Sequence, residues 1–297
     1  MTCKQTQPIA DVIRDGLCTI TSSKNELYQR WLRLTTSRGR RENGLFLVEG
    51  LRFCTDAIAS GITLSPVIFT RDFLKRFREE ELSNQLEAWN QAGLQAAVLP
   101  DHLFERPSDT KTPQGILGVA PIPGLEGSFV PEPGGMYLIL DGIQDPGNMG
   151  TLIRTADAAG FEGIIWVKGC VDICNAKVLR ATMGSIFRIP AMMAETPQQA
   201  AEMMKVRGIC VMTTNLEQGI PHTRADFSGG AAILIGSEAN GASEELLSAS
   251  SQRVRIPMRK GVDSLNASAA GAVLMYEAVR QRENGSMEKK EGDAGWI

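Results

Sequence analysis

Apolar residues fall along this chain in two patterns. In the C-terminal half they come as short, mainly apolar runs, Met136–Leu140, Ile164–Val167, Ser185–Ile189, Ile209–Thr213, Ala232–Ile235 and Val254–Ile256, most of them separated by stretches of helical length. Strands that are continuously apolar suit a parallel sheet covered on both faces. In the N-terminal half the pattern is mixed. Lys24–Thr36 reads as a helix with Leu27, Trp31 and Leu34 on one face and Lys24, Arg30 and Arg33 off that stripe. After it come a strand at Phe46–Val48, a helix at Leu51–Ser60, a strand at Val67–Thr70, a charged surface helix at Lys75–Ala92, and strands at Ala97–Leu99 and Gly115–Ala120. This alternation predicts a smaller α/β domain at residues 23–120 and a larger one at 136–283. Residues 121–135, rich in proline and glycine, read as the linker. The polar ends, 1–22 and 284–297, read as a mobile arm and a disordered tail.

Composition narrows the function classes. At 297 residues and 43% hydrophobic the chain suits two globular domains, and no apolar run reaches the ~18 residues of a membrane span. Asp11, Arg14 and Asp15 interrupt the N-terminus where a signal peptide needs an apolar core. The six cysteines show no metal-ligand spacing, and the expectation is reduced thiols, a cytoplasmic protein and no metal. Two histidines, His102 and His222, leave little room for histidine catalysis. A net charge of −3 argues against indiscriminate nucleic-acid coating. Between Lys24 and Arg52, however, basic residues outnumber acids, and Ser37–Arg41 reads as a short basic loop. Lys24, Arg38, Arg40 and Arg41 are therefore candidate phosphate contacts, against the plainer reading of a solvated helix face.

Three strand-loop-helix junctions stand out in the C-terminal half. Leu138–Gly160 carries Asn148, Gly150 and Arg154. Ile233–Gly241 carries Gly236, Ser237, Glu238 and Asn240. Ile256–Arg280 passes from Pro257 and Met258 through a glycine-containing loop to Ser264, Leu265 and Asn266, where a helix begins. Each is polar at the loop and small or apolar behind it, which suggests one composite site. Neither a GxGxxG dinucleotide loop nor a Walker-type Lys-Ser/Thr follows the first strand, so dehydrogenase and nucleotide-triphosphatase readings lack their motifs.

In order and content the three junctions resemble the motifs of the SpoU/TrmH branch of the SPOUT methyltransferases. The resemblance is close over Met136–Arg282 and looser before it, where FLVEG and TKTPQGILGV are similar to the RNA substrate-binding domain attached to many such enzymes. It implies a knotted parallel-sheet domain that methylates a ribose 2′-hydroxyl in RNA, ribosomal RNA before transfer RNA. It also implies S-adenosylmethionine as donor and a homodimer whose partner chain completes each site. A module of the same fold that holds RNA without methylating it is the alternative. On the acceptor side the resemblance assigns Arg154, with Asn148, Ser264 and Asn266 orienting the ribose or Arg154. On the donor side it points to Gly236, Ser237, Glu238, Gly241, Ile256, Met258 and Leu265, with Thr213 and Thr214 as neighbours. A guanidinium stays protonated at a pKa above ~12, so Arg154 is expected to bind phosphate and stabilise a developing alkoxide, with the proton leaving to solvent or a neighbour. Glu238 is expected to cap its own loop through backbone N–H groups.

Overall fold

The computed structural model describes residues 7–8, 19–76, 88–89, 91, 93–124, 129–214, 219–262 and 264–292. The chain divides into two units, residues 1–122 and 123–297.

The first unit is built on a five-stranded sheet in the order β1-β4-β3-β5-β2, formed by β1 (Gln7–Pro8), β2 (Leu45–Glu49), β3 (Val67–Thr70), β4 (Gln95–Leu99) and β5 (Ile116–Pro121). β3 and β4 run parallel, and the other pairings are antiparallel. The expected N-terminal arm is tied down where it is described: Gln7 and Pro8 pair with β4, the Ile20 N–H donates to the Val98 carbonyl, and Ile20 is fully buried. Residues 1–6 and 9–18 of the arm lie outside the described residues.

Helix α1 (Glu26–Arg33) starts where the Asn25 side chain accepts from the Leu27 and Tyr28 N–H groups. Tyr28, Trp31 and Leu34 pack against Ile68, Ala97, Leu99 and Val119. The expected basic loop after it is instead a helix, α2 (Ser37–Asn43), capped by Thr36 and ended by Gly44 in the left-handed region. Gly39 is required there, because a Cβ would run into the Arg33 carbonyl. Helix α3 (Leu51–Ala59) follows β2. Of the expected helix at Lys75–Ala92 the described part begins earlier, as α4 (Arg71–Arg76), and residues 77–87, 90 and 92 lie outside the described residues. A single turn, α5 (Asp101–Phe104), precedes β5, and its Leu103 carbonyl accepts from the Tyr28 hydroxyl.

The second unit holds a seven-stranded sheet, every pairing parallel, in the order β10-β12-β9-β11-β6-β7-β8. Its strands are β6 (Met136–Leu140), β7 (Gly163–Val167), β8 (Ala191–Ala194), β9 (Val211–Thr214), β10 (Ile220–Pro221), β11 (Ala231–Ile235) and β12 (Gln252–Arg255). The apolar run at Ser185–Ile189 is not a strand. Ser185–Phe187 form a 3-10 turn after Gly184, and the strand starts beyond Pro190, whose carbonyl accepts from the Ile164 N–H. Side chains alternate across the sheet. Tyr137, Ile139, Ala232 and Leu234 pack with α8 (Pro197–Val206) and α9 (Glu244–Ala249). On the other face lie α6 (Pro146–Ala158), α7 (Ala176–Thr182) and α10 (Ala267–Gly292). Glycines set the distances between those helices: a Cβ on Gly150 would strike Ala181, and one on Gly271 would strike Leu152.

Helix α10 continues to Gly292, so the expected tail is helical up to that residue. Its Glu, Lys and Met residues are good helix formers and extend a helix that packing has already nucleated. Residues 293–297 lie outside the described residues. Leu274, Met275 and Ala278 are buried. The Gln281 amide spans the neighbouring backbone, donating to the Ala225 carbonyl and accepting from the Phe227 N–H, both at 2.9 Å.

Candidate active site

The three junctions meet at the C-terminal edge of the second sheet, the edge where ligands bind in open α/β folds. The first begins with Asp141 and Gly142 after β6. Asp145 caps α6 by accepting from the Asn148 N–H at 2.7 Å, and Pro146 opens the helix. Asn148 and Gly150 are therefore in the first turns of α6 rather than in a loop, and Arg154 stands two turns in. The Asp-Pro pair was the sequence signal for this start, since Pro fits the first turn and Asp the cap.

The second junction is a tight loop. Ser237 and Gly241 exchange two backbone hydrogen bonds, 2.9 and 2.8 Å, and the Ser237 hydroxyl accepts from the Asn240 N–H at 3.1 Å. Gly236 leads into it with no space for a side chain, because a Cβ would meet the backbone of Gly241 and Ala242. The Glu238 carboxylate does not cap this loop, contrary to the expectation. Ser237 already does so, and Glu238 accepts from the Asn148 side-chain amide. In the third junction, Asn266 caps α10 by accepting from the Ser268 and Ala269 N–H groups and the Ser268 hydroxyl. Its Nδ2 donates to Asn148 Oδ1 at 2.9 Å.

Asn148, 8% exposed, thus joins all three loops through one amide, receiving from Asn266 and donating to Glu238. Leaving one of these groups unpaired by removing the amide would cost ~1–3 kcal/mol. Arg154 is not part of this cluster. It is exposed, and among the described residues it has no hydrogen bond or ion pair. Ser264 is likewise exposed and without a hydrogen bond among them. Of the expectation that Asn148, Ser264 and Asn266 orient the ribose or Arg154, the Arg154 alternative has no contact among the described residues of one chain: Asn148 bonds Asn266 and Glu238 instead.

The remaining donor-side candidates divide by burial. Thr213 is 1% exposed, inside the sheet between β11 and β12, so its side chain serves packing and Thr214 is the residue that reaches the edge. Ile256 and Met258 are half-buried, and Leu265 is 38% exposed, an apolar group with little of its own chain to cover it. Val262, Val273, Tyr276 and Met183 are also exposed in this unit. A cavity of about 430 Å³, lined by Gly208, Cys210, Asp226, Gly230, Ser251 and Gln252 among others, lies at the opposite, N-terminal edge of the sheet, away from the junctions. Among the described residues there is no His/Cys/Asp/Glu cluster able to hold a metal ion, and no helix long and apolar enough to cross a membrane.

The basic candidates of the first unit also divide. Lys24 and Arg41 are exposed. Arg38 is exposed but paired with Glu42 at 2.6 Å, a contact that raises the pKa of the guanidinium and lowers that of the carboxyl, chiefly through the hydrogen bond. Arg40 is buried, 7% exposed, with Nη1 donating to the Leu34 carbonyl at 2.9 Å. It satisfies the end of α1 and is withdrawn from the surface, correcting its assignment as a phosphate contact. The start of the TKTPQGILGV stretch is pinned by Glu49, which accepts from the Ser108 and Thr110 hydroxyls and the Asp109 N–H. Sequence alone gave no sign of that contact, since its partners lie about sixty positions apart.

Residues 135–276 match the SpoU rRNA Methylase family, and residues 25–118 match the MRM3-like substrate binding domain. The chain is 32% identical over 257 residues to the 23S rRNA (guanosine(2553)-2'-O)-methyltransferase RlmP of Bacillus subtilis, covering 86% of this chain and 97% of that one. It is 30% identical to the mitochondrial rRNA methyltransferase 3 of Xenopus laevis, covering 84% and 72%. Among solved structures, the AdoMet-bound rRNA methyltransferase of Sinorhizobium meliloti superposes with a TM-score of 0.77 at 29% identity, covering 88% of this chain and 97% of that one. With its second unit matched along the whole sheet and its first unit matched separately, the chain belongs to the SpoU rRNA methylase family.

Proposed function

We propose that this protein transfers a methyl group from S-adenosylmethionine to a ribose 2′-hydroxyl of ribosomal RNA. The observation that carries the reading is the Asn148 amide, which holds the three junctions of the sheet edge in one arrangement. The site suits the donor: Gly236 lets the Gly241–Ala242 backbone close into a tight loop, and half-buried Ile256 and Met258 follow β12 at the same edge of the sheet and offer apolar surface. Glycine permits that close approach of backbone to backbone. When bound, the donor supplies a carbon already activated by its sulfonium, so the protein's task is alignment, which is worth ~7–11 kcal/mol.

In this reading Gly236, Ser237, Glu238, Gly241, Ile256, Met258, Leu265 and Thr214 form the donor wall. Asn148 and Asn266 keep the α6 and α10 entrances in register, and Ser264 faces the ribose. Arg154 binds the phosphate next to the target and stabilises the alkoxide while the proton passes to water. Lys24, Arg38 and Arg41 hold more distant phosphates. The third junction threads through a loop to reach the site, giving a knotted chain, and the protein acts in the cytoplasm as a homodimer. Val273 and Tyr276, exposed one turn apart on α10 while Leu274 and Met275 are buried, give that helix a second apolar face for a partner. The free Arg154 then completes the site of the other copy.

Mixing two inactive variants tests the arrangement. Co-refolded Arg154→Ala and Gly236→Val chains form mixed dimers in which one site has both an intact donor loop and the partner's Arg154. Single-turnover methylation of ribosomal RNA should reappear in the mixture. Methylation absent from a mixture shown to contain heterodimers places Arg154 in its own chain's site, and a particle of one chain's mass removes the dimer.

A further inference from the structure

Asp141 is a buried carboxylate with too few partners. It follows β6 at the sheet's C-terminal edge and is 8% exposed. Its backbone N–H donates to the Ile235 carbonyl at 3.0 Å, extending the β6–β11 pairing by one residue. Its Oδ2 accepts from the Ser243 N–H at 2.7 Å. That bond closes the second junction from below, since the loop leaves the sheet at Gly236 beside Asp141 and rejoins a helix at Ser243. Among the described residues the carboxylate has no ion pair and no other side-chain hydrogen bond. The Ser243 hydroxyl beside it is buried and also lacks a partner.

A charge taken out of water without a counter-charge is strongly unfavourable, and buried groups left unsatisfied in a native fold call for a ligand, an ion or a function. The Cys170 thiol is pushed up to about 11, first by burial and to a smaller degree by the Asp141 carboxylate. Neither Asp141 nor Ser243 was among the residues singled out by the three motifs.

We infer that Asp141 is a charge-selecting residue of the donor site: its buried carboxylate holds the loop Gly236–Ser243 in place and is complemented by the positive sulfonium of the donor. This rests on the proposed methyl-transfer function. Methyl transfer returns the C–S electron pair to sulfur, while the ribose oxygen gains the methyl and gives its proton to water. The sulfur thereby loses its charge, and the neutral thioether product no longer answers Asp141. The same carboxylate that favours donor binding then favours product release.

Calorimetric titrations of the full-length protein with S-adenosylmethionine, S-adenosylhomocysteine and sinefungin, an analogue with a protonated amine in place of the sulfonium, separate charge from shape. Wild-type protein should bind the two cationic ligands about tenfold more tightly than the neutral one, or better. Asp141→Asn keeps an oxygen for the Ser243 N–H and removes the charge. It should bring the three affinities within about twofold of one another while leaving that of S-adenosylhomocysteine unchanged. Equal weakening of all three ligands, or an unchanged preference, overturns the inference. If the variant does not fold, the wild-type series decides: a wild-type protein that binds the neutral product as tightly as the cationic ligands has no charge selection. Failure of wild-type protein to bind any of the three removes the donor site itself, an outcome distinct from loss of selectivity alone.

Discussion

Arg40 and Arg154 have the same side chain and would read alike in a list of basic residues, yet the two units use them in opposite ways. In the first unit Arg40 is drawn inward and its guanidinium bonds the Leu34 carbonyl at the end of α1. In the second, Arg154 stands on α6 with its donors unused among the described residues. A guanidinium has five N–H donors in a fixed fork. The role proposed for Arg154 rests on how many of these donors the fold has already taken in each residue. The same division holds for carboxylates: Glu49 is occupied by the loop at Ser108–Thr110, whereas Asp141 is buried with most of its capacity unused among the described residues.

The comparison is tested most severely at Arg154. Arg154→Ala should lower the single-turnover methylation rate by ~10²–10³, as the loss of one charge-stabilising donor does, and should leave donor affinity within a few-fold. Near-normal turnover would mean that unused donors are a poor guide to function. Gly236→Val follows. The side chain cannot fit against the Gly241–Ala242 backbone, so the loop must move, and restoring its shape on binding at ~1–3 kcal/mol should appear as a ~10–100-fold loss of donor affinity by calorimetry. Unchanged affinity would show that the loop yields.

The arginines of the first unit sharpen the contrast further. Arg40→Ala should destabilise that unit by ~1–3 kcal/mol in urea unfolding, because the Leu34 carbonyl loses a charged donor in a buried place. Arg38→Ala with Arg41→Ala should change stability by no more than ~0.5 kcal/mol, and should reduce the salt slope of RNA binding by roughly one unit per lost phosphate contact. Reversal of these two results would exchange the roles assigned by burial.

The smallest effect concerns Glu277, on the buried side of α10. Arg280 forks onto it and Gln281 adds a third bond, bringing its carboxyl down to about 2 despite the opposing effect of burial. Because the folded pKa lies below the unfolded value of ~4.3, the ionised carboxylate contributes stability above that pH and loses it as pH falls toward 2. Wild-type and Glu277→Gln proteins should therefore differ in denaturant midpoint at pH 7 and converge between about pH 4.3 and 2. A difference independent of pH would assign the effect to packing.

Much of the second unit was legible because a parallel sheet buries both faces, so β6, β7 and β11 appear as plain apolar runs. Ser185–Ile189 carries Ile186, Phe187 and Ile189 around Arg188, and a run of that length cannot distinguish a strand from a turn packed under helices. Gly184 and Pro190, which bracket it, carried the better signal. The motif positions of the site could be found along the chain, but their pairing could not. Asn148 and Glu238 are ninety residues apart, and nothing local to Glu238 shows that Ser237 has already capped the loop. Arg40 was misread for a related reason. SRGRREN has no apolar stripe to announce a helix, and Gly39 disguises one by permitting the close crossing of α1 and α2.

The Gln281 amide has a mechanical consequence. At its N-terminal end α10 is joined to the site through Asn266, and about fifteen residues later, ~22 Å along a helix at 1.5 Å per residue, Gln281 grips the backbone at Ala225 and Phe227. The helix is a strut fastened at both ends, and the far fastening helps to set where the near end stands. Protease trimming that stops beyond Glu283 leaves both fastenings in place. A cut that removes Gln281 releases the far fastening and leaves the Asn266 end held by packing and the Asn148 contact alone.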